Sequence, residues 1–145
     1  MKIVVINGPN INMLGIREPD IYGHTTYDQL CRMLYDYAAA QGIELEIYQS
    51  NHEGDLIDRI QAAYGQANGI VINPGAYTHT SIALPDAVKA VGLPAVEVHI
   101  SDPDAREAYR KTDYIREACV KTIAGRGVQG YIDAVRFLAE KESEQ

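Results

Sequence analysis

The sequence predicts an α/β protein: a doubly wound parallel sheet of about five strands in a single domain, residues 1–145. Two observations predict it. Short apolar runs rich in Val and Ile alternate with amphipathic helical stretches along the whole chain, which is the pattern of successive βαβ units. Gly, Pro and Asn punctuate the junctions, and no linker, repeat or low-complexity run divides the chain. With 46% hydrophobic and 23% charged residues, the chain can bury an ordinary core.

Each element has a local reason. Lys2 to Asn7 is almost continuously apolar, which suits a strand buried on both faces. A loop of Gly, Pro and Asn follows, from about residue 8 to 24. Thr25-Thr26 opens a helix, with Asp28 three residues after Thr25 as a loose capping box. Leu30, Leu34, Tyr37 and Ala38 share one face, and Gly42 stops the helix. Ile43, Leu45 and Ile47 alternate as a second strand. Ser50 to Gly54 is a polar turn, after which Leu56, Ile57, Ile60 and Ala63 form a second helical stripe. Gly69 to Asn73 is a third strand. The next helix carries Pro85 in its first turn. Ala95 to His99 is a fourth strand. Asp102-Pro103-Asp104 reads as a cap, a Pro at the first helical position and a first-turn acid. Val120 to Ala124 is a fifth strand. Val128 to Glu142 is a last amphipathic helix with Ile132, Val135, Phe137 and Leu138 apolar, and Lys141 to Gln145 is a frayed tail.

Composition narrows function. The net charge is −7, and no cluster of Lys and Arg is present to displace counterions from nucleic acid or to bind a membrane surface. An anionic substrate therefore needs a few locally placed cations. Cys31 and Cys119 are far apart and fit two reduced, buried thiols. Without a signal sequence or an apolar run of about 20 residues, a cytoplasmic location is expected.

Ligands of such sheets bind beyond the carboxyl ends of the strands, so chemistry is expected in the loops after strands 1, 3 and 4. The first loop is long for a βα connection and carries Arg17 and Tyr22. The third-strand loop packs Asn73, Tyr77, Thr78, His79, Thr80 and Ser81 into one segment beside a helix start. A turn with a Ser or Thr cap explains Thr80 or Ser81 but not His79. On the fourth strand, Glu97 and His99 point to one face, where a carboxylate can fix an imidazole tautomer and raise its basicity. His99, Asp102 and Asp104 could instead hold a metal, but the helix start already uses the two aspartates. Gly125-Arg126-Gly127-Val128-Gln129-Gly130 matches a dinucleotide fingerprint, yet the chain ends too soon for the βαβ unit such a site needs. Close strand-to-helix packing explains those glycines better.

In order along the chain stand Gly8-Pro9-Asn10-Ile11-Asn12, Arg17-Glu18-Pro19 with Tyr22-Gly23, Gln49-Ser50-Asn51 with Glu53-Gly54, Asn73 through Ser81, Glu97-Val98-His99-Ile100-Ser101, and Gln129-Gly130-Tyr131. With these motifs over nearly its whole length, the chain closely resembles the type II 3-dehydroquinate dehydratases. The resemblance implies a flavodoxin-like fold without flavin and a homododecamer built as a tetramer of trimers. It implies elimination of water from 3-dehydroquinate to 3-dehydroshikimate through an enolate, with neither metal nor cofactor. The reaction serves aromatic amino acid biosynthesis by the shikimate pathway or quinate catabolism.

Motif by motif, the resemblance makes Tyr22 the base. Free tyrosine ionises near pH 10, so a phenolate at pH 7 needs about 4 kcal/mol of stabilisation. Arg17 is the matching lid arginine, and a nearby cation in a drier site supplies much of that. Asn10 helps hold a water against the developing enolate. His99 is the general acid, oriented by Glu97, with Asn73 beside the leaving hydroxyl. Ile100 and Ser101 clamp the substrate carboxylate, His79 and Arg110 contact ring hydroxyls, and Asp86 reaches in from a neighbouring subunit. Ile11 and Met13 stand where leucine is more usual. Lys111-Thr112-Asp113 and Arg126 also depart from the family pattern, and are expected to bear on subunit contacts more than on chemistry. A flavodoxin-like module for a nucleotide or flavin is the alternative, but it leaves Arg17, Tyr22, Glu97 and His99 without a task.

Overall fold

A computed structural model describes residues 1–16 and 18–144. Strands β1 (Lys2–Asn7), β2 (Glu44–Gln49), β3 (Gly69–Asn73), β4 (Ala95–His99) and β5 (Lys121–Ala124) form one sheet in the order β2-β1-β3-β4-β5. Every neighbouring pair is parallel. This is the flavodoxin-like order, with its switch point between β1 and β3. Helices α2 (Tyr27–Ala40) and α5 (Gln129–Ser143) cover one face, and α3 (Glu53–Ala62) and α4 (Ala83–Val91) cover the other. The alternation within β1 divides the core between them. Ile3 and Val5 pack with Leu30, Leu34 and Leu138. Val4 and Ile6 pack with Leu56, Ile60 and Val88. A strand sandwiched in this way is mostly apolar on both sides, which is why β1 and β3 read as nearly continuous hydrophobic runs and why Glu97 and His99 stand out in β4.

Several boundaries differ from the sequence expectation; β5, for one, begins at Lys121 rather than Val120. The capping box of α2 uses Thr26 and Gln29, not Thr25 and Asp28: the Thr26 hydroxyl accepts from Gln29 N, and the Gln29 side chain accepts from Thr26 N. The last helix continues to Ser143, so Lys141 to Ser143 are helical. Asp102 caps only a short 3-10 turn, Pro103–Ala105, by accepting from Asp104 N. The loop after β1 is also not featureless. It contains a 3-10 turn at Ile11–Met13 and a one-turn helix, α1 (Pro19–Tyr22).

Two glycine contacts join the loops after β1 and β3. A Cβ on Gly8 would overlap the Pro74 carbonyl, and one on Gly75, whose φ is +62°, would lie 2.9 Å from the Pro9 oxygen. Only glycine permits so close an approach. The loops that carry Asn10 and Asn73 are thereby fixed side by side. At the other end of the sheet, a Cβ on Gly130 would press on Ile123 and Val98 at 3.4 Å, so that glycine serves the packing of α5 on the sheet.

Candidate active site

One cleft opens beyond the carboxyl ends of β1, β3 and β4. From the first loop it takes Pro9, Asn10, Ile11 and Tyr22. From the third it takes Asn73, Gly75, Ala76 and His79. From the fourth it takes His99, Ile100, Ser101, Pro103, Arg106 and Arg110. The parallel topology explains this convergence, since every parallel strand delivers its following loop to the same edge.

Tyr22 is the last residue of α1. Its phenol oxygen accepts a 2.6 Å hydrogen bond from Nη1 of Arg106, and the guanidinium carbon lies 5.3 Å from the ring centroid. Arg17 lies outside the described residues. The segment leading to Tyr22 holds two non-glycine residues in left-handed backbone, Asn10 at φ 71° and Glu18 at φ 39°. Asparagine tolerates this region better than most residues; the same geometry at Glu18 stores strain of the kind found near functional sites.

Asn73 is 3% exposed at the end of β3. Its Oδ1 accepts from Gly75 N at 3.1 Å and its Nδ2 donates to the Tyr131 hydroxyl at 2.8 Å. That hydroxyl donates in turn to Asn7 Oδ1 at 2.7 Å. A buried phenol on α5 thus fixes the amide plane of a cleft residue. One N–H of Asn73 remains for a bound molecule. His79 is held through Nδ1, 2.7 Å from the Thr112 carbonyl, so Nδ1 carries the proton there and Nε2 is the other polar atom of the ring.

His99 ends β4. Its Nε2 lies 2.5 Å from Glu97 Oε2, and Glu97 is fully buried behind it. The second carboxylate oxygen of Glu97 accepts from the Thr122 hydroxyl at 2.8 Å. Burial works against the charge on His99, but hydrogen bonds and charge from Asp113 and Glu97 outweigh it, so the imidazole is pushed up to about 9. Burial raises the Glu97 carboxyl, and Asp113 beside it adds to the rise, while His99 opposes it. At neutral pH His99 is therefore an imidazolium, with Nδ1 left to exchange a proton with a bound molecule.

Ile100 and Ser101 follow. The His99 carbonyl accepts from Gly125 N at 3.3 Å and the Ile100 carbonyl from Gly127 N at 3.0 Å. In a trans peptide the N–H points away from the preceding C=O. The N–H groups of Ile100 and Ser101 therefore point away from the Gly125–Gly127 turn, and two successive N–H groups of this kind suit an anion. Arg110 lines the cleft, held by Glu107 Oε2 at 2.8 Å. In a chain of net charge −7, the cleft thus gathers two arginines and an imidazolium.

Asp86 does not join them; it is exposed on α4, outside the lining of its own chain's cleft. Arg106 was not singled out in the sequence, and Asp113 entered only within Lys111-Thr112-Asp113, with an expected bearing on subunit contacts rather than on the cleft. The rule that loops after strands carry chemistry points to the segment holding Arg106, but not to that residue. Among the described residues, Glu97, His99 and Asp113 bring ligand atoms within 4.8 Å of one another, close enough to consider a cation. The Arg116 guanidinium lies 3.3 Å from Asp113 and 3.9 Å from Glu97, and its charge opposes a metal ion there. The Asp102 carboxylate is engaged at the 3-10 turn, where it accepts from Asp104 N.

Residues 1–139 match the family model for dehydroquinase class II. The 3-dehydroquinate dehydratase of Corynebacterium glutamicum is 58% identical over 138 residues, covering 95% of each chain. That of Clostridium acetobutylicum is 54% identical, covering 95% of this chain and 96% of the other. The crystal structure of the type II dehydroquinase of Butyrivibrio crossotus superposes with a TM-score of 0.95 at 50% identity, covering 96% of this chain and 97% of that one. The corresponding structure from Propionibacterium acnes gives 0.92 at 40% identity, covering 96% of both. The family model, the relatives and the solved structures match over nearly the whole chain, and the chain is an enzyme of the dehydroquinase class II family.

Proposed function

We propose that the protein removes water from 3-dehydroquinate to give 3-dehydroshikimate by anti elimination through an enolate. The observation that carries this reading is the pair of devices on one cleft: a phenol hydrogen-bonded to an arginine, and an imidazolium backed by a buried carboxylate. The reaction needs a base for a proton next to a ketone, a stabiliser for the enolate, and an acid for the departing hydroxyl.

Tyr22 is the base. Arg106 donates a hydrogen bond to its phenol oxygen, alongside the role proposed for Arg17. Asn10 holds a water against the enolate oxygen. His99 gives a proton to the leaving hydroxyl from Nδ1, because Glu97 holds Nε2. Asn73 donates its second N–H beside that hydroxyl. The N–H groups of Ile100 and Ser101, with the serine hydroxyl, bind the substrate carboxylate. His79 and Arg110 contact the ring hydroxyls. Asp86, exposed on α4, completes the site of a neighbouring subunit in a dodecamer of four trimers.

The test mixes folded protein with 3-dehydroquinate and follows ultraviolet absorbance of the conjugated enone. Growth of that absorbance is expected, and a flat trace from folded protein would overturn the reading. Sedimentation velocity checks the assembly: a species of twelve subunits is expected, and a monomer at working concentration would remove the role of Asp86.

A further inference from the structure

Asp113 follows Lys111-Thr112 in the segment of short turns after β4. The structure puts it against the imidazole of the cleft. Its Oδ1 accepts from the N–H groups of Ile115 and Arg116, both at 3.0 Å, which anchors the carboxylate at the start of the 3-10 turn Arg116–Ala118. Its Oδ2 is buried and lies 3.8 Å from His99 Nε2. The side chain is 7% exposed. One imidazole nitrogen therefore faces two carboxylates, Glu97 at 2.5 Å and Asp113 at 3.8 Å.

Arg116 touches both carboxylates, with Nη2 3.3 Å from Asp113 and Nε 3.9 Å from Glu97. It is half exposed, so water weakens its charge. The half-buried Cys119 thiol is pushed up by burial and by the charge of Glu97 and Asp113. Toward the cleft, the other ionisable groups lining the same space are Tyr22, His79, Arg106 and Arg110.

One carboxylate suffices to orient an imidazole; a second adds charge. Two acids this close to each other resist full ionisation together unless a cation lies between them, and imidazolium is that cation. We propose that Asp113 is a positioning residue for the proton donor: with Glu97 it holds the His99 ring in place and in its protonated form, while Arg116 limits that effect by drawing on the same two carboxylates. The inference rests on the reading of His99 as general acid. The two acids shift in opposite directions: the Glu97 carboxyl is raised by burial and by Asp113 beside it, with His99 opposing. Burial acts to raise the Asp113 carboxyl, but hydrogen bonds to His99, Glu97 and the Arg116 backbone hold it well below the usual carboxylate range.

The test is the titration of His99 in the full-length protein, followed by NMR of 15N-labelled histidine and assigned with His99→Gln. Asp113→Asn keeps an oxygen to accept from Ile115 and Arg116 but loses the charge. Its expected effect is a fall of about one pH unit or more in the His99 midpoint. The high-pH limb of kcat falls by the same amount, so the deficit against the parent enzyme grows from pH 6 to pH 9. Arg116→Gln has the opposite expected sign, a higher midpoint, which a general loosening of the site does not produce. An unchanged His99 midpoint in folded Asp113→Asn, or a fall in both variants, would overturn the proposal. If Asp113→Asn does not fold, the rise expected in Arg116→Gln decides it. Failure of the dehydration assay in the parent protein would remove the acid role while leaving the titration readable, so the two failures are distinct.

Discussion

The phenol oxygen of Tyr22 and Nη1 of Arg106 are 2.6 Å apart, although 84 positions separate them in the chain. A guanidinium donating to a phenol stabilises the phenolate more than the neutral form, because the hydrogen bond becomes charge-assisted when the proton leaves. Arg106→Lys keeps the charge but loses the planar fork. It is predicted to lower kcat by roughly 100-fold, within the range for losing one preorganised donor, with a smaller effect on KM. Tyr22→Phe is predicted to abolish turnover while substrate binding survives. In that background Arg106→Lys has little further effect, because residues that act as a unit are not additive. Equal losses in both backgrounds would separate the two residues.

The raised His99 gives a pH dependence with a definite sign. Its unfolded value is about 6.5, and in the folded protein it is about 9. Between these values the native state holds a proton that the unfolded chain has released. The stabilisation from this group is therefore complete below about pH 6.5 and is lost as pH rises through about 9. Thermal melts at intervals across that window are expected to show Tm falling with pH, and His99→Gln is expected to flatten the slope. Turnover is expected to fall above about pH 9 as the proton donor empties. A slope unchanged in His99→Gln would assign the dependence to other groups.

The strands and the site motifs were legible because their constraints are local. β1, β3 and β4 match the expected bounds residue for residue, since a short apolar run flanked by Gly, Pro or loop residues marks each of them. The cap of α2 was misplaced by one residue because the expectation paired Thr25 with Asp28, whereas the Ser/Thr-x-x-Glu/Gln form of the box fits Thr26 with Gln29. The places of Arg106 and Asp113 at the cleft were not legible for a different reason. They stand in a segment of short 3-10 turns, Pro103–Ala105, Ala108–Lys111 and Arg116–Ala118, which has no hydrophobic period to reveal its path. Asp113 was expected to bear on subunit contacts. Its position against His99 comes from that path crossing the end of β4, where its carboxylate is capped and turned inward.

Tyr131 tests whether the support beneath Asn73 matters. Its ring is fully buried, and its hydroxyl links Asn73 to Asn7. Tyr131→Phe removes one oxygen and leaves an amide N–H of Asn73 and the Asn7 carbonyl oxygen without that partner. The predicted cost is about 1–3 kcal/mol, a fall in Tm of several degrees for a chain of this size. Without the phenol oxygen to hold Nδ2, the Asn73 amide is freer to rotate, so kcat is expected to fall as well. Full activity at reduced Tm would show that Gly75 N alone orients the amide.

Gly75 and Gly42 separate backbone conformation from the close approach of loops. Both have positive φ, +62° and +70°, but a Cβ on Gly42 meets nothing within 4 Å, whereas one on Gly75 lies 2.9 Å from the Pro9 oxygen. Gly42→Ala therefore carries only the left-handed penalty, about 1–2 kcal/mol, with activity intact. Gly75→Ala carries that penalty and also pushes the Pro9 carbonyl, and with it the backbone that places Asn10 at the cleft. A displacement near 1 Å at a catalytic group is enough to lower turnover by roughly 100-fold. The variant is expected to lose more stability than Gly42→Ala and, unlike it, to lose kcat. Chemical denaturation and steady-state kinetics on the two proteins compare them directly, and equal kcat in both would show that the contact between the loops after β1 and β3 serves folding alone.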